Sequence, residues 1–177
     1  MASTEKQFTD AFERHSDELF RHASMRLSDR ERALELTQEA YLRAWNYVRK
    51  GEEVREMRAF LFKTLRNLII DEYRKHKSYS LEAMIEDEEG GSVEAMLPKD
   101  ETNTLEAAMG RHEGREALAA LKNLPDPYRE VLALRYVEGL TPREIAEIVD
   151  ESENVVSVRV HRGLKKLKTL LEQKKIV

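Results

Sequence analysis

The stretch Gly139–Leu171 constrains this chain more than any other. It reads as two helices joined by a tight turn. Thr141 is suited to cap the first, because its hydroxyl can accept from the free amides of the opening turn, and Pro142 comes next, where no amide partner is needed. Ile145, Ala146, Ile148 and Val149 give that helix one apolar face. Asp150-Glu151-Ser152 then breaks the pattern: Asp tolerates left-handed backbone, and Ser152 can cap the second helix. In that second helix Val156, Val160, Leu164, Leu167 and Leu171 are spaced by four, four, three and four, so they are the expected buried row. The other faces carry Asn154, Ser157, Arg159, His161, Arg162, Lys165, Lys166 and Lys168. This is the layout of a helix-turn-helix, whose second helix enters the major groove of DNA. From Asn154 to Val177 seven Lys and Arg stand against one acid, Glu172, a local field of the kind that phosphate contact needs. An amphipathic hairpin with a solvated basic face fits the same spacing, and the pattern alone leaves both readings open.

The rest of the chain narrows the choice. Its 177 residues allow one large domain or two small ones. There is no Cys, which excludes disulfides and thiol nucleophiles and removes the usual structural zinc ligands. No run of about 18 apolar residues predicts a membrane span, and MASTEKQFTDAFERH has no apolar signal core. The net charge of −4 misleads as an average, because charge is segregated. Residues 1–77 carry 16 bases and 14 acids, residues 78–103 one base and eight acids, and residues 104–177 13 bases and 12 acids.

The chain reads as all-α, with no strand signal. Phe8, Ala11, Phe12, Leu19, Phe20, Ala23 and Leu27 recur at helical spacing over residues 8–27. His15 and His22 lie seven apart on that helix, but no third ligand stands at suitable spacing, so no metal is expected. Ser28-Asp29 starts a second helix with Ala33, Leu34, Leu36, Ala40, Tyr41, Ala44 and Val48 expected inward. Its other face holds Gln38, Glu39, Leu42, Arg43 and Trp45, an interface candidate, although Trp45 could equally complete the core. After a charged connection around Gly51, Arg58–Lys77 forms a third helix. It is expected to bury Phe60, Leu61, Leu65, Leu68, Ile69 and Tyr73, and to expose Lys63, Arg66, Asn67, Arg74, Lys75 and Lys77. Bases and Asn beside aromatics suit a single strand with unstacked bases, and equally an ordinary basic helix end. Ser78–Asn103 is acidic, contains Gly90-Gly91 and Pro98, and reads as a flexible linker. Helical spacing resumes over Thr104–Leu124, with Leu105, Ala108, Met109, Ala117, Leu118, Leu121 and Leu124, stops at Pro125 and Pro127, and returns over Tyr128–Glu138. Two small helical domains, residues 1–77 and 104–177, therefore flank a linker at 78–103.

Three segments carry a family resemblance. LTQEAYLRAW (36–45), RAFLFKTLRNLIIDEYRK (58–75) and LPDPYREVLALRYVEGLTPREIAEIVDESENVVSVRVHRGLKKL (124–167) together resemble the bacterial extracytoplasmic-function sigma factors, two-domain specificity subunits of RNA polymerase. The resemblance implies a non-enzymatic protein with no catalytic residues, no metal and no cofactor. Its partners would be core RNA polymerase and promoter DNA, duplex upstream and single-stranded at the minus-ten element. An anti-sigma factor would be a further partner, with no membrane association, a cytoplasmic location and a monomer when free. Gln38, Glu39, Leu42 and Trp45 match the surface that docks on polymerase. Asn67, with Arg66, Arg74 and Lys75, matches the minus-ten contacts, and Arg143, Asn154, Ser157, Val158, Arg159 and Arg162 match the minus-thirty-five contacts.

The chain departs from the family at the turn. Gly usually stands where Asp150 is, an apolar residue at Glu151 and often Pro at Ser152, and Gly-Thr usually replaces Asn154-Val155. Glu151 and Glu153 would oppose nearby phosphates. EVLALRYVEGLTPREIAEIV also resembles the DNA-binding domain of two-component regulators, but those carry an N-terminal domain with strands and a phosphoacceptor Asp. An adaptor that mimics a sigma factor without binding DNA would not need the basic stretches 63–77 and 159–175.

Overall fold

The computed structural model describes residues 2–76 and 114–175. All elements among them are helical, as the periodicity predicts. The linker at 78–103, and Leu105, Ala108 and Met109, lie outside the described residues. The described residues fall into two compact units, one made chiefly of the first three helices and the other chiefly of the helices after residue 113.

In the N-terminal unit α1 (Ala2–Arg26), α2 (Arg30–Arg49) and α3 (Met57–Lys75) pack against one another. Asp29 caps α2 as expected: its side chain accepts from the backbone N–H of Glu31 and Arg32 at 3.0 and 3.2 Å. Gly51, at φ +88°, turns the chain out of α2. Ala23, Ala33, Ala40 and Ala44 are fully buried, so the helix backbones approach closely, and Leu19, Leu61, Phe62, Leu65 and Ile69 fill the rest. Each of these large side chains contributes about 2 kcal/mol by leaving water. One expectation fails clearly here: Leu34, expected inward, is 47% exposed. The apolar stripe of α2 is broad enough that spacing alone cannot say where its edge lies. On α3 the buried set also takes in a charged residue that no apolar pattern includes, Glu72.

In the C-terminal unit α4 (Gly114–Leu121) and α5 (Asp126–Leu132) pack on the long α7 (Glu153–Lys175), and of the apolar row before Pro125, Ala117, Leu121 and Leu124 are buried while Leu118 is left exposed. Pro125 and Pro127 begin α5, where their missing amides cost nothing. The helix then widens into a π turn at Ala133–Val137, in which the N–H of Glu138 donates to the carbonyl five residues back, on Ala133, at 3.0 Å. Thr141 and Glu144 form a reciprocal capping box at the start of α6 (Pro142–Val149). Asp150 adopts the left-handed conformation, φ 55° and ψ 43°, and Ser152 Oγ accepts from the N–H of Val155 at 3.1 Å. Both were legible from the residues alone.

The inward face of α7 differs from the expected one. Val156, Leu167 and Leu171 are buried as expected, but Val160 and Leu164 are only half-buried, while Arg159 and Gly163 are buried. The row is rotated because Gly163 sits against α5: a Cβ there would lie 3.2 Å from Leu132 Cγ and Cδ1. The two helices meet where α7 has no side chain to hold them apart.

Candidate interaction surfaces

Three helical faces carry the site residues expected from the sequence. On α2 the buried positions Ala33, Leu36, Thr37, Ala40, Tyr41 and Ala44 define the inner side. Leu34, Gln38 and Leu42 succeed one another at intervals of four on the outer side, and all three are exposed. Leu42 is 54% exposed, an apolar side chain held in water. Glu39 beside it accepts from Arg43 Nε at 2.8 Å. Trp45 is half-buried, and its ring lies 4.9 Å from that of Phe8. It therefore both completes the α1–α2 packing and leaves one edge at the surface. Phe8 and Phe12 also pack on Tyr41, with ring centroids 6.0 and 4.8 Å away. Burial pushes the Tyr41 phenol up, with help from the charges of Glu18 and Asp17. Leu34 belongs to this outer row, and the spacing 34, 38, 42 was the signal that could have found it.

On α3 the inner side is Leu61, Phe62, Leu65, Leu68, Ile69, Glu72 and Tyr73. Asn67, Asp71, Arg74 and Lys75 are exposed, and Arg66 is half-buried. Asn67 and Asp71 lie one turn apart, and Arg74 Nη1 stands 4.0 Å from Asp71. At the start of the same helix Phe60 stacks on Tyr47 of α2, centroids 4.9 Å apart, and Tyr47 is 40% exposed. Asn46, Arg49 and Lys50 line a shallow depression at the end of α2. Apolar rings and cations are thus concentrated where α2 ends and α3 begins.

On α7 the buried row Val156, Arg159, Gly163, Leu167, Leu171 leaves Asn154, Val158, His161, Arg162 and Lys165 on the opposite side. Asn154 and Lys165 are exposed, Val158, His161 and Arg162 are half-buried, and Ser157 lies at the flank. Arg143 is exposed in the first turn of α6. His161 was not among the expected contact residues, although its spacing from Asn154 and Val158 would have included it. Arg159 departs from the expectation. It points into the unit, and its Nη2 lies 3.5 Å from Glu151 Oε1. The acid expected to repel phosphate is thereby held by a cation of the same unit. Lys166 also turns inward in part, with Nζ 5.3 Å from the centre of the Tyr128 ring.

Comparison with known proteins gives the family. Residues 11–79 match sigma-70 region 2, and residues 114–167 match sigma-70 region 4. SigL of Mycobacterium tuberculosis, an ECF RNA polymerase sigma factor, is 31% identical over 92% of this chain and 87% of its own length. SigW of Bacillus subtilis, another, is 28% identical over 93% of this chain and 88% of its own. The sigma factor RpoE of Bartonella quintana, solved with the anti-sigma factor NepR, has the same fold: TM-score 0.67 and 23% identity over 94% of this chain and 98% of that one. The chain belongs to the ECF family of RNA polymerase sigma factors, non-enzymatic transcription initiation factors that direct core polymerase to promoters.

Proposed function

We propose that the three faces divide the work of a sigma factor. The outer row of α2, Leu34, Gln38 and Leu42 with Glu39 and the edge of Trp45, docks on core polymerase. The outer face of α3, Asn67 with Arg66, Arg74 and Lys75, captures the opened minus-ten strand. The outer face of α7, Asn154, Ser157, Val158 and Arg162, reads the minus-thirty-five duplex, with Arg143 on the backbone. Arg159 is assigned to the turn instead of to DNA. The domain roles divide accordingly: residues 1–77 for polymerase and the minus-ten strand, 104–177 for the upstream duplex, and 78–103 as the linker between them.

The observation that carries this reading is the contrast between the two sides of α7. One side is buried, and the other presents Asn154, Val158, Arg162 and Lys165 along a single groove-facing row. At the minus-ten element, unstacking a base costs a few kcal/mol, and the aromatic pair Tyr47–Phe60 with the neighbouring cations supplies contacts of the kind that offset it. No described helix is long and apolar enough to cross a membrane, and the place of action we infer is the cytoplasm, where polymerase is. A protein that silences the chain has to cover one of the three faces, and an anti-sigma factor is the regulator we propose for that role.

The test is transcription by reconstituted holoenzyme on a promoter library. Asn67→Ala should relax preference at one minus-ten base, because base contacts discriminate and phosphate contacts do not. Arg162→Ala should erase upstream preference at a cost of about 1–3 kcal/mol on the best site. Lys168→Ala should keep that preference and lower the salt slope by about one unit. If none of the three changes promoter choice or salt dependence, the adaptor reading replaces this one.

A further inference from the structure

The N-terminal unit contains two side-chain clusters of the same make, one at each end of α3. At the start of the helix Arg58 donates to Glu18 of α1 through Nε and Nη2, at 2.9 and 2.7 Å, and His15 Nδ1 lies 2.6 Å from the same carboxylate. At the other end Arg32 of α2 donates to Glu72 of α3 through Nε and Nη2, at 2.8 and 2.7 Å, and His76 Nε2 lies 3.1 Å from it. The two carboxylates are sheltered, with side chains only 14% and 8% exposed. Arg32 is further steadied by Glu35, at 2.7 Å, and Arg58 by the ring of Phe62.

Resting on the reading that α3 captures the strand and α2 meets polymerase, we propose that Arg58–Glu18–His15 and Arg32–Glu72–His76 are positioning clusters for strand capture, pinning α3 at both ends so that its outer face meets the opened strand at a fixed tilt.

Three physical points carry this. The core between the helices contains fully buried alanines, Ala23, Ala33, Ala40 and Ala44. Such short side chains permit close approach, and Leu19, Leu61, Phe62, Leu65 and Ile69 fill the rest of the interface by packing that is not directional. A bidentate Arg–carboxylate fork does fix direction as well as distance. The two forks attach at residues 58 and 72, about 21 Å apart along the axis. A helix held at one end can swing, and one held at both cannot. Of the residues assigned to the strand, Arg66 and Asn67 lie between the two attachments, and Arg74 and Lys75 follow within three residues of the second. Stability is the weaker explanation for the clusters, because both arginines are about a third exposed and solvent screens such pairs.

The experiment uses the full chain with bacterial core polymerase, on a promoter chosen with the wild type. Four single variants are compared: Glu18→Gln, Glu72→Gln, Arg58→Lys and Arg32→Lys. The lysines keep the charge and lose the fork. Polymerase affinity, the unfolding midpoint of Trp45 fluorescence and the rate of open-complex formation are measured for each. Opening should slow about tenfold in all four, the loss expected when one charge-assisted contact is gone. Polymerase affinity should stay within about twofold, a change of less than about 0.5 kcal/mol, and Glu18→Gln/Arg58→Lys should be no worse than either single change. If a core variant of matched unfolding midpoint, such as Leu19→Val, slows opening as much, the clusters are mere stabilisers, and opening at the wild-type rate would remove them altogether. A wild type that binds polymerase but opens no promoter defeats the strand-capture reading itself, and the clusters with it.

Discussion

The N-terminal unit holds α3 by side chains that cross between helices, whereas the C-terminal unit holds α7 by backbone conformation and close approach. In the first, three helices of 25, 20 and 19 residues meet over a core with buried alanines, and forks from Arg58 and Arg32 tie the ends. In the second, shorter helices surround one of 23 residues, and the directing features are a π turn, a left-handed Asp150 and a glycine in contact with α5. The difference suits the two tasks we propose for them. A duplex groove is a rigid, repeating target, so a helix set by its backbone can meet it reproducibly. A single strand has no shape of its own, so the helix that receives it must be oriented by the protein. Both units bury charge, Arg26 and Glu72 in the first and Glu130, Arg135, Glu138 and Arg159 in the second, where Arg135 Nη1 donates to the Leu140 carbonyl at 3.3 Å.

The comparison breaks most readily at Gly163. A valine there places its Cβ 3.2 Å from Leu132 and adds two methyls in a closed contact. We expect the C-terminal unit to lose about 2–3 kcal/mol by overpacking. Amide exchange in α5 and α7 should accelerate, while Trp45 fluorescence, from the only tryptophan, should report an unchanged N-terminal unit. Unchanged protection in α5 and α7 would show that close approach does not set the position of α7.

The N-terminal forks are probed by pH. Hydrogen bonds from Arg32 hold the Glu72 carboxyl at about 2, against an ordinary value of 4.5, despite the opposing effect of burial. The folded value lies below the unfolded one, so the stabilisation is fully present above pH 4.5 and is lost as pH falls towards 2. Glu72→Gln should therefore destabilise the unit at pH 7 by about 1 kcal/mol, a figure discounted for the exposure of Arg32. The difference in urea midpoint between wild type and variant, measured by Trp45 fluorescence, should narrow steadily between those two pH values. A gap that stays constant down the pH series would mean that Glu72 acts by packing and not by charge.

The smallest effect is expected at the turn. Asp150 occupies a left-handed position that glycine reaches without a Cβ penalty. Asp150→Gly should raise the melting free energy of the C-terminal unit by about 0.5 kcal/mol, and Asp150→Ala should lower it. Equal melting of the two variants, measured by circular dichroism, would show that the backbone angle carries no strain.

Much of the molecule is set by neighbours in the chain. Periodicities of three and four mark the helices. Asp29, Thr141 and Ser152 announce their caps because capping is an interaction over two or three residues. Asp150 announces its left-handed backbone for the same reason. The faces of α2 and α3 are visible in outline, since the residues left over from an apolar stripe lie on the other side of the helix, while that of α7 is rotated from the one its apolar row predicts.

Local pattern cannot supply pairing at a distance. Glu18 and Arg58, and likewise Arg32 and Glu72, are 40 residues apart, and nothing in the sequence near either member distinguishes it from an ordinary surface charge. Leu34 and Trp45 are ambiguous because the edge of an apolar stripe is decided by which helix packs against it. Arg159 reads as a DNA contact because basic residues on a recognition helix usually are. Its burial is decided by Gly163, which turns that side of α7 towards α5, and by Glu151, which waits in the turn to accept its charge. The sequence determined which described segments are helices and where the capped ones begin, at Asp29, Thr141 and Ser152, because those choices rest on contacts within a few residues; the start of α1 at Ala2, ahead of its apolar row, was not legible. The tertiary structure alone decided how far each helix is rotated and which charges are used inside the protein, because those choices rest on contacts between segments far apart in the chain.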